Sequence, residues 1–291
     1  MIMGLLGVHV SIAGGLEKSV ERALDLDLQT FQIFSKNQRQ WRSPPLKDED
    51  ARKFRDSWRE SGLGPFVVHD SYLINLGSPK ENAFNRSVET FSDELLRAET
   101  IGSPYLVMHP GSHLKKGEEW GLKRIAEGLD RSVGSYLDSE MGPDEKGKTT
   151  LILLENTAGQ GTNLGYEPEQ LARIMDLSEH RDMLGICFDT CHAFASGLDI
   201  SGEESYGEVF DRIDSAIGLD EIKVFHLNDS VKGLGMKVDR HTHIGEGEIG
   251  LPGFRMLLND NRFEDRPMIL ETPGWDEEDR KNLKVLRSLI D

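Results

Sequence analysis

Eight short runs of apolar and β-branched residues, each followed by a charged amphipathic stretch, constrain this chain more than any other feature. The runs lie at 5–11, 30–34, 66–70, 105–110, 151–156, 184–190, 222–228 and 267–273. Helical periodicity fills the stretches at 16–26, 47–61, 81–101, 122–137 and 167–177. Strands alternating with helices imply parallel strands joined by crossover connections. Eight strands are the number that closes a (β/α)8 barrel, a fold of roughly 250 residues. An open, doubly wound sheet would satisfy the same alternation and stays open at this point. With 291 residues and 37% hydrophobic content, the expectation is one α/β domain over 1–291, a (β/α)8 TIM barrel. Larger chains bury a larger fraction of their surface, so this content suffices for a core. The Gly-, Lys-, Asp- and Glu-rich segment 141–149 reads as a solvated loop before the fifth strand.

The ends of these runs carry the chemistry. The third ends in His69, the fourth in His109, the fifth in Glu155, and the sixth in Asp189 with His192 just beyond. The seventh ends in His226 and the eighth in Glu271, while Asp239 and His241 lie in the loop after the seventh. In a parallel barrel all carboxyl ends of strands open on one face, where active sites are built. A lone histidine at a strand end is ordinarily a framework residue, but six strands in succession do not end this way by accident. Five imidazoles and four carboxylates suit zinc, or less specifically manganese and iron. At three to four ligands per ion, with one carboxylate shared, nine residues hold about three ions. His9 also lies near a strand end and lines the pocket without a metal role. Cys187 and Cys191, four apart, are too few for a disulfide framework and read as buried thiols.

A net charge of −17 argues at first against a nucleic-acid partner, because phosphate contact favours Lys and Arg. Total charge describes the whole surface, whereas binding uses one face. A locally positive crescent around the mouth would reconcile the two. No apolar run approaches the roughly 20 residues of a membrane span. The N-terminus shows no charged segment followed by a long apolar one. A soluble cytoplasmic protein without membrane partners is expected.

At the metal-bearing residues the sequence resembles the endonuclease IV family (AP endonuclease family 2). The matching strings run almost end to end: GVHVS from Gly7, KNQRQW from Lys36, HDSYLINL from His69, HPG from His109 and LENT from Leu154. They continue with GICFDTCH from Gly185, HLNDS from His226, VDRH from Val238, GEGEIG from Gly245 and LETP from Leu270. The resemblance implies a trizinc centre. His69, His109 and Glu155 would hold one zinc, and Glu155, Asp189, His226 and Glu271 a second. His192, Asp239 and His241 would hold the third, with Mn2+ or Fe2+ as possible substitutes. It implies hydrolysis of the phosphodiester 5′ to an abasic site in double-stranded DNA, leaving a 3′-hydroxyl and a 5′-deoxyribose phosphate. Removal of blocking groups from 3′ ends is implied too.

Glu155 and Glu271 are the expected catalytic pair, Glu155 orienting the ions it bridges and Glu271 hydrogen bonding to the attacking water. Arg39, Tyr72 and Leu73 match positions that intrude into the base stack, Gln38 shares the Arg39 loop, and Arg240 is a candidate phosphate contact. A monomer is expected. Where the family usually carries lysine, this chain has Val231, with Lys232 next to it. Two rival readings are a metal-dependent sugar isomerase or epimerase on the same barrel and a non-catalytic metal- or DNA-binding barrel. The Asp239–His241 pair counts against the isomerase, which generally uses one or two metals.

Overall fold

A computed structural model of the chain describes residues 4–139 and 150–291. The loop expected at 141–149 lies outside the described residues. Eight strands form a closed parallel barrel: β1 (Leu5–His9), β2 (Thr30–Phe34), β3 (Val67–His69), β4 (Tyr105–Met108), β5 (Leu151–Glu155), β6 (Leu184–Asp189), β7 (Ile222–Leu227) and β10 (Pro267–Leu270). β10 pairs with both β1 and β7, which closes the cylinder and excludes the open sheet. Two further two-residue strands, β8 (Asp229–Ser230) and β9 (His241–Thr242), pair antiparallel as a hairpin beyond β7.

The helices are α1 (Glu17–Asp25), α2 (Asp48–Ser61), α3 (Glu81–Ile101), α4 (Glu118–Leu137), α5 (Pro168–Leu177), α6 (Thr190–Ser196), α7 (Glu203–Ala216), α8 (Gly250–Leu258) and α9 (Glu277–Ser288). None of the described helices is long and apolar enough to cross a membrane. Several strands stop earlier than the apolar runs suggest. β4 ends at Met108, two residues before Pro110, which has no amide hydrogen to give to a ladder. α4 begins earlier than its apolar periodicity, at Glu118-Glu119, where two carboxylates favour the positive end of the helix dipole.

Two layers of apolar packing hold the barrel. The outer layer, between sheet and helices, includes Phe31, Phe54, Phe66, Phe210, Phe225 and Phe263, all buried. Burying each such side chain contributes about 1.5–3 kcal/mol. Inside the barrel Val67, Val107, Leu153, Cys187, Val224 and Ile269 form a separate plug. Strand side chains alternate between the two faces of a sheet. Two residues beyond each plug residue therefore stands the next inward position: His69, His109, Glu155, Asp189, His226 and Glu271. A period of two thus lifts six donors one layer above a hydrocarbon floor.

Candidate metal centre

The nine donors expected from the sequence come together at the carboxyl ends of the barrel strands. His69, His109 and Glu155 form one group, Glu155, Asp189, His226 and Glu271 a second, and His192, Asp239 and His241 a third. Within each group the ligand atoms lie within 4.8 Å of one another. Glu155 belongs to two groups because its oxygens face opposite ways. Its Oε2 lies 3.2 Å from His69 Nε2 and 3.4 Å from His109 Nε2. Its Oε1 lies 3.2 Å from His226 Nδ1 and 3.1 Å from His192 Nδ1. His226 Nδ1 is also 3.2 Å from Glu271 Oε2. In the third group His192 Nε2 is 3.2 Å from Asp239 Oδ2, and His241 Nε2 is 3.3 Å from Asp239 Oδ1.

The third group owes its place to local chain geometry. Asp189 ends β6 and caps α6 directly, its Oδ1 accepting the His192 amide at 2.7 Å, so strand passes into helix without a linker. This turns His192 toward the mouth. The β8–β9 hairpin carries Asp239 and His241 back over the barrel, with Val231 N–H donating to Arg240 O at 3.0 Å.

A second ring of hydrogen bonds orients these candidate donors. His69 Nδ1 is 2.9 Å from the Asp70 carbonyl and His192 Nδ1 is 3.0 Å from the Asn156 carbonyl. Asn228 donates from Nδ2 to Asp189 Oδ2 at 2.6 Å, and its Oδ1 accepts the Glu271 amide at 3.0 Å. Imidazoles that ligate metals ordinarily donate their other N–H to a carbonyl or carboxylate in this way. Sequence reasoning did not single out Asn156, Asn228, Asp70 or Gln32. The first three directly follow strand ends, and Gln32 is a polar residue inside an apolar run; those were the available signals.

Electrostatics fit a cation centre. Burial disfavours the ionised form of Glu155, yet the imidazoles of His109, His226 and His192 outweigh it and hold the carboxyl well below its usual range. Burial likewise opposes a charge on His69, but the Glu155 carboxylate raises it to about 10. His192 and His226 are raised for the same reason, against burial and by neighbouring carboxylates and, for His226, the Cys187 thiol. Burial lowers His109. Asp239, despite burial, is brought down to about 2 by His192 and His241. Carboxylates and imidazoles thus favour each other's charged forms in this site, a part that divalent cations would take over. His241 Nε2 is buried and makes no hydrogen bond, its 3.3 Å approach to Asp239 Oδ1 being a charge contact only. The nitrogen and oxygen donors of these three groups, with the Cys187 and Cys191 thiols close enough to form overlapping groups with Glu155 and His226 and with Asp189 and His241, suit zinc and related divalent ions.

The residues expected to meet DNA stand on separate loops. Tyr72 is 62% exposed at the rim, its ring edge-on to Phe34 at 5.7 Å. Leu73 is half-buried beside it. Arg39 is exposed and Gln38 half-buried. Ser71 ties the two loops by donating from Oγ to Gln38 O at 2.7 Å. Arg240 is exposed on the β8–β9 hairpin, together with Lys232 and Val231. Cys187 and Cys191 are buried free thiols, as expected. His9 closes β1 beside Glu271, 3.7 Å from its Oε1.

Comparison with known proteins agrees with the barrel. A family profile described as xylose isomerase-like TIM barrel matches residues 20–289. The probable endonuclease 4 of Chloroflexus aurantiacus is 49% identical over 290 residues, covering 99% of each chain. That of Citrifermentans bemidjiense is 48% identical over 291 residues, covering 99% of this chain and all of the relative. The crystal structure of endonuclease IV from Thermus thermophilus superposes with a TM-score of 0.86 at 39% identity, covering 98% of both chains. A D-tagatose 3-epimerase-like protein, at 22% identity with a TM-score of 0.71 and covering 98% of this chain and 96% of its own, shares the fold alone. With the same barrel and near-complete coverage, the chain belongs to the endonuclease IV family.

Proposed function

We propose that this protein is a zinc-dependent DNA-repair endonuclease that hydrolyses the phosphodiester 5′ to an abasic site. The products are a 3′-hydroxyl and a 5′-deoxyribose phosphate, and the same centre cleans blocked 3′ ends. The convergence of nine donors into three adjoining groups, two of them sharing Glu155, is the observation that carries the reading. Its meaning as a nuclease site is supported by the relatives whose names describe them as endonucleases 4. The third group, drawn partly from the β8–β9 hairpin, favours the nuclease over a sugar isomerase with one or two metals.

His69, His109, Glu155, Asp189, His226, Glu271, His192, Asp239 and His241 would hold three ions. Divalent cations in such a centre neutralise phosphoryl oxygens, activate water and stabilise the leaving oxygen. The protein's own residues position the reaction. Glu155 keeps the first two groups in register, and Glu271, anchored by Asn228, accepts a hydrogen bond from the attacking water. The hydrocarbon floor excludes water from below. Tyr72 and Leu73 enter the stack where a base is missing, an apolar wedge that substitutes for lost stacking. Arg39 and Gln38 follow the strand, and Arg240 neutralises a phosphate. Lys232 and Lys237 on the same hairpin add to the positive charge at the mouth of a chain whose net charge is −17. The protein acts as one barrel domain over 1–291, as a monomer in the cytoplasm.

The test is cleavage of a labelled duplex containing one tetrahydrofuran abasic analogue, which cannot undergo β-elimination. A cut on the 5′ side, lost in His69→Ala and Glu155→Ala, is expected. No cut by folded, zinc-loaded protein, with turnover of a ketose sugar instead, would move the isomerase into first place.

A further inference from the structure

On six barrel strands the inward residue above the plug is a proposed ligand. The two remaining strands, β1 and β2, bring His9 and Gln32 to the mouth as register partners. Gln32 is fully buried, and its amide is hydrogen bonded on both sides. Its Nε2 donates to Glu271 Oε1 at 2.6 Å and lies 3.0 Å from His9 Nδ1. Its Oε1 lies 2.8 Å from His226 Nε2.

Charge decides which way this amide points. Turned over, it would set its oxygen against the Glu271 carboxylate, so the NH2 must face Glu271 and the oxygen must face His226. An oxygen only accepts, so the proton of His226 sits on Nε2. In the neutral ring the lone pair is then on Nδ1, the nitrogen 3.2 Å from Glu155 Oε1 and 3.2 Å from Glu271 Oε2. We propose that Gln32 is a positioning residue of the metal centre. Through one amide it fixes the tautomer of His226 and the orientation of Glu271, so that both present lone pairs to the same divalent cation. The effect on DNA cleavage rests on the nuclease reading; the effects on the tautomer and on zinc binding do not.

The experiment replaces Gln32 by methionine, which fills similar volume without a polar amide, in the full-length protein. Zinc binding is followed by competition with a chromophoric chelator, and the tautomer of His226 by long-range 1H–15N NMR on histidine-labelled protein. One zinc equivalent should bind about 10–100-fold more weakly, the loss typical of removing an outer-shell partner of a ligand. In the metal-free protein, at a pH high enough for the ring to be neutral, His226 should no longer be held as the single Nε2–H tautomer. Wild-type zinc affinity, or an unchanged single tautomer, in a folded variant overturns the proposal. If Gln32→Met does not fold, Gln32→Leu, likewise uncharged and without a polar amide, takes its place. Its zinc affinity should fall and the single tautomer should be lost, and wild-type affinity there overturns the proposal equally. Failure of the unaltered protein to cut abasic DNA, with both Gln32 effects present, would sink the nuclease reading alone.

Discussion

Glu155 Oε2 lies 3.2 Å from His69 Nε2, and the same carboxylate turns its other oxygen to the neighbouring ligand group. Glu155→Gln keeps the volume but converts one of the two oxygens into a group that cannot ligate. Cleavage of the abasic duplex should fall by more than about 100-fold, the upper end of outer-shell effects serving as a lower bound. Zinc content measured by mass spectrometry should fall with it. Wild-type turnover at full zinc loading would remove Glu155 from the centre.

Zinc loading should compete with protons. In the metal-free site neighbouring carboxylates raise His69 to about 10 and also raise His192 and His226, each against burial, so protons compete with metal for these nitrogens. Ligands must lose protons to bind metal. Apparent zinc affinity should therefore strengthen as pH rises from about 6 to about 8, with proton release on binding, measured by calorimetry in buffers of different ionisation enthalpy. Chelation should abolish cleavage and lower Tm, and zinc should restore both. An ion held at about 100 times its Kd stabilises the fold by about 2.7 kcal/mol.

Asp229 is buried and accepts the amides of Ser230, Gly245, Gly247 and Ile249 at 2.8–3.1 Å. A Cβ on Gly247 would sit 2.5 Å from Asp229 Oδ1 and 2.5 Å from Ser230 O. Gly247→Ala should cost about 1–3 kcal/mol through overpacking. Asp229→Ala should cost about 3 kcal/mol by stranding buried donors. Both are read by denaturant unfolding, and a silent Gly247→Ala would show that the loop moves freely.

Asp279, only 5% exposed, is pushed by burial up to about 6 from an ordinary 3.8. The folded protein therefore holds this proton more tightly than the unfolded chain. That stabilisation is complete below about pH 4 and lost as pH rises through about 6. A rise of that size corresponds to about 3 kcal/mol, reduced by partial solvation and by the favourable carboxylate in the first turn of α9. Asp279→Asn should stabilise the protein by about 1 kcal/mol near pH 7.5 and by nothing near pH 4. Equal stability of the two proteins at both pH values would refute this.

Removing Tyr72, an exposed ring at the rim, should weaken abasic-duplex binding by about 1–3 kcal/mol, the usual worth of one stacking platform. Arg39→Ala and Arg240→Ala should each lower the slope of log affinity against log salt by about 1. An unchanged slope in either would exclude it from phosphate contact.

The strand-borne candidate donors were legible because strand periodicity and donor chemistry coincide: each follows a plug residue by two positions. Gln32 was not, since TFQIF reads as an ordinary buried strand. A polar residue in a strand covered on both faces was the signal. The β8–β9 hairpin was hidden for another reason, because two-residue strands carry no alternation to read. α6 was masked by starting at the very end of β6, with Asp189 serving as both cap and proposed ligand.

The plug of Val67, Val107, Leu153, Cys187, Val224 and Ile269 makes the centre a blind well rather than a tunnel. Whatever enters must leave by the same opening, past Tyr72 and the β8–β9 hairpin. For a polymer seated across that opening, departure of a cut strand and arrival of the next compete for one doorway, so traffic at the rim sets the pace once the chemistry beneath is fast.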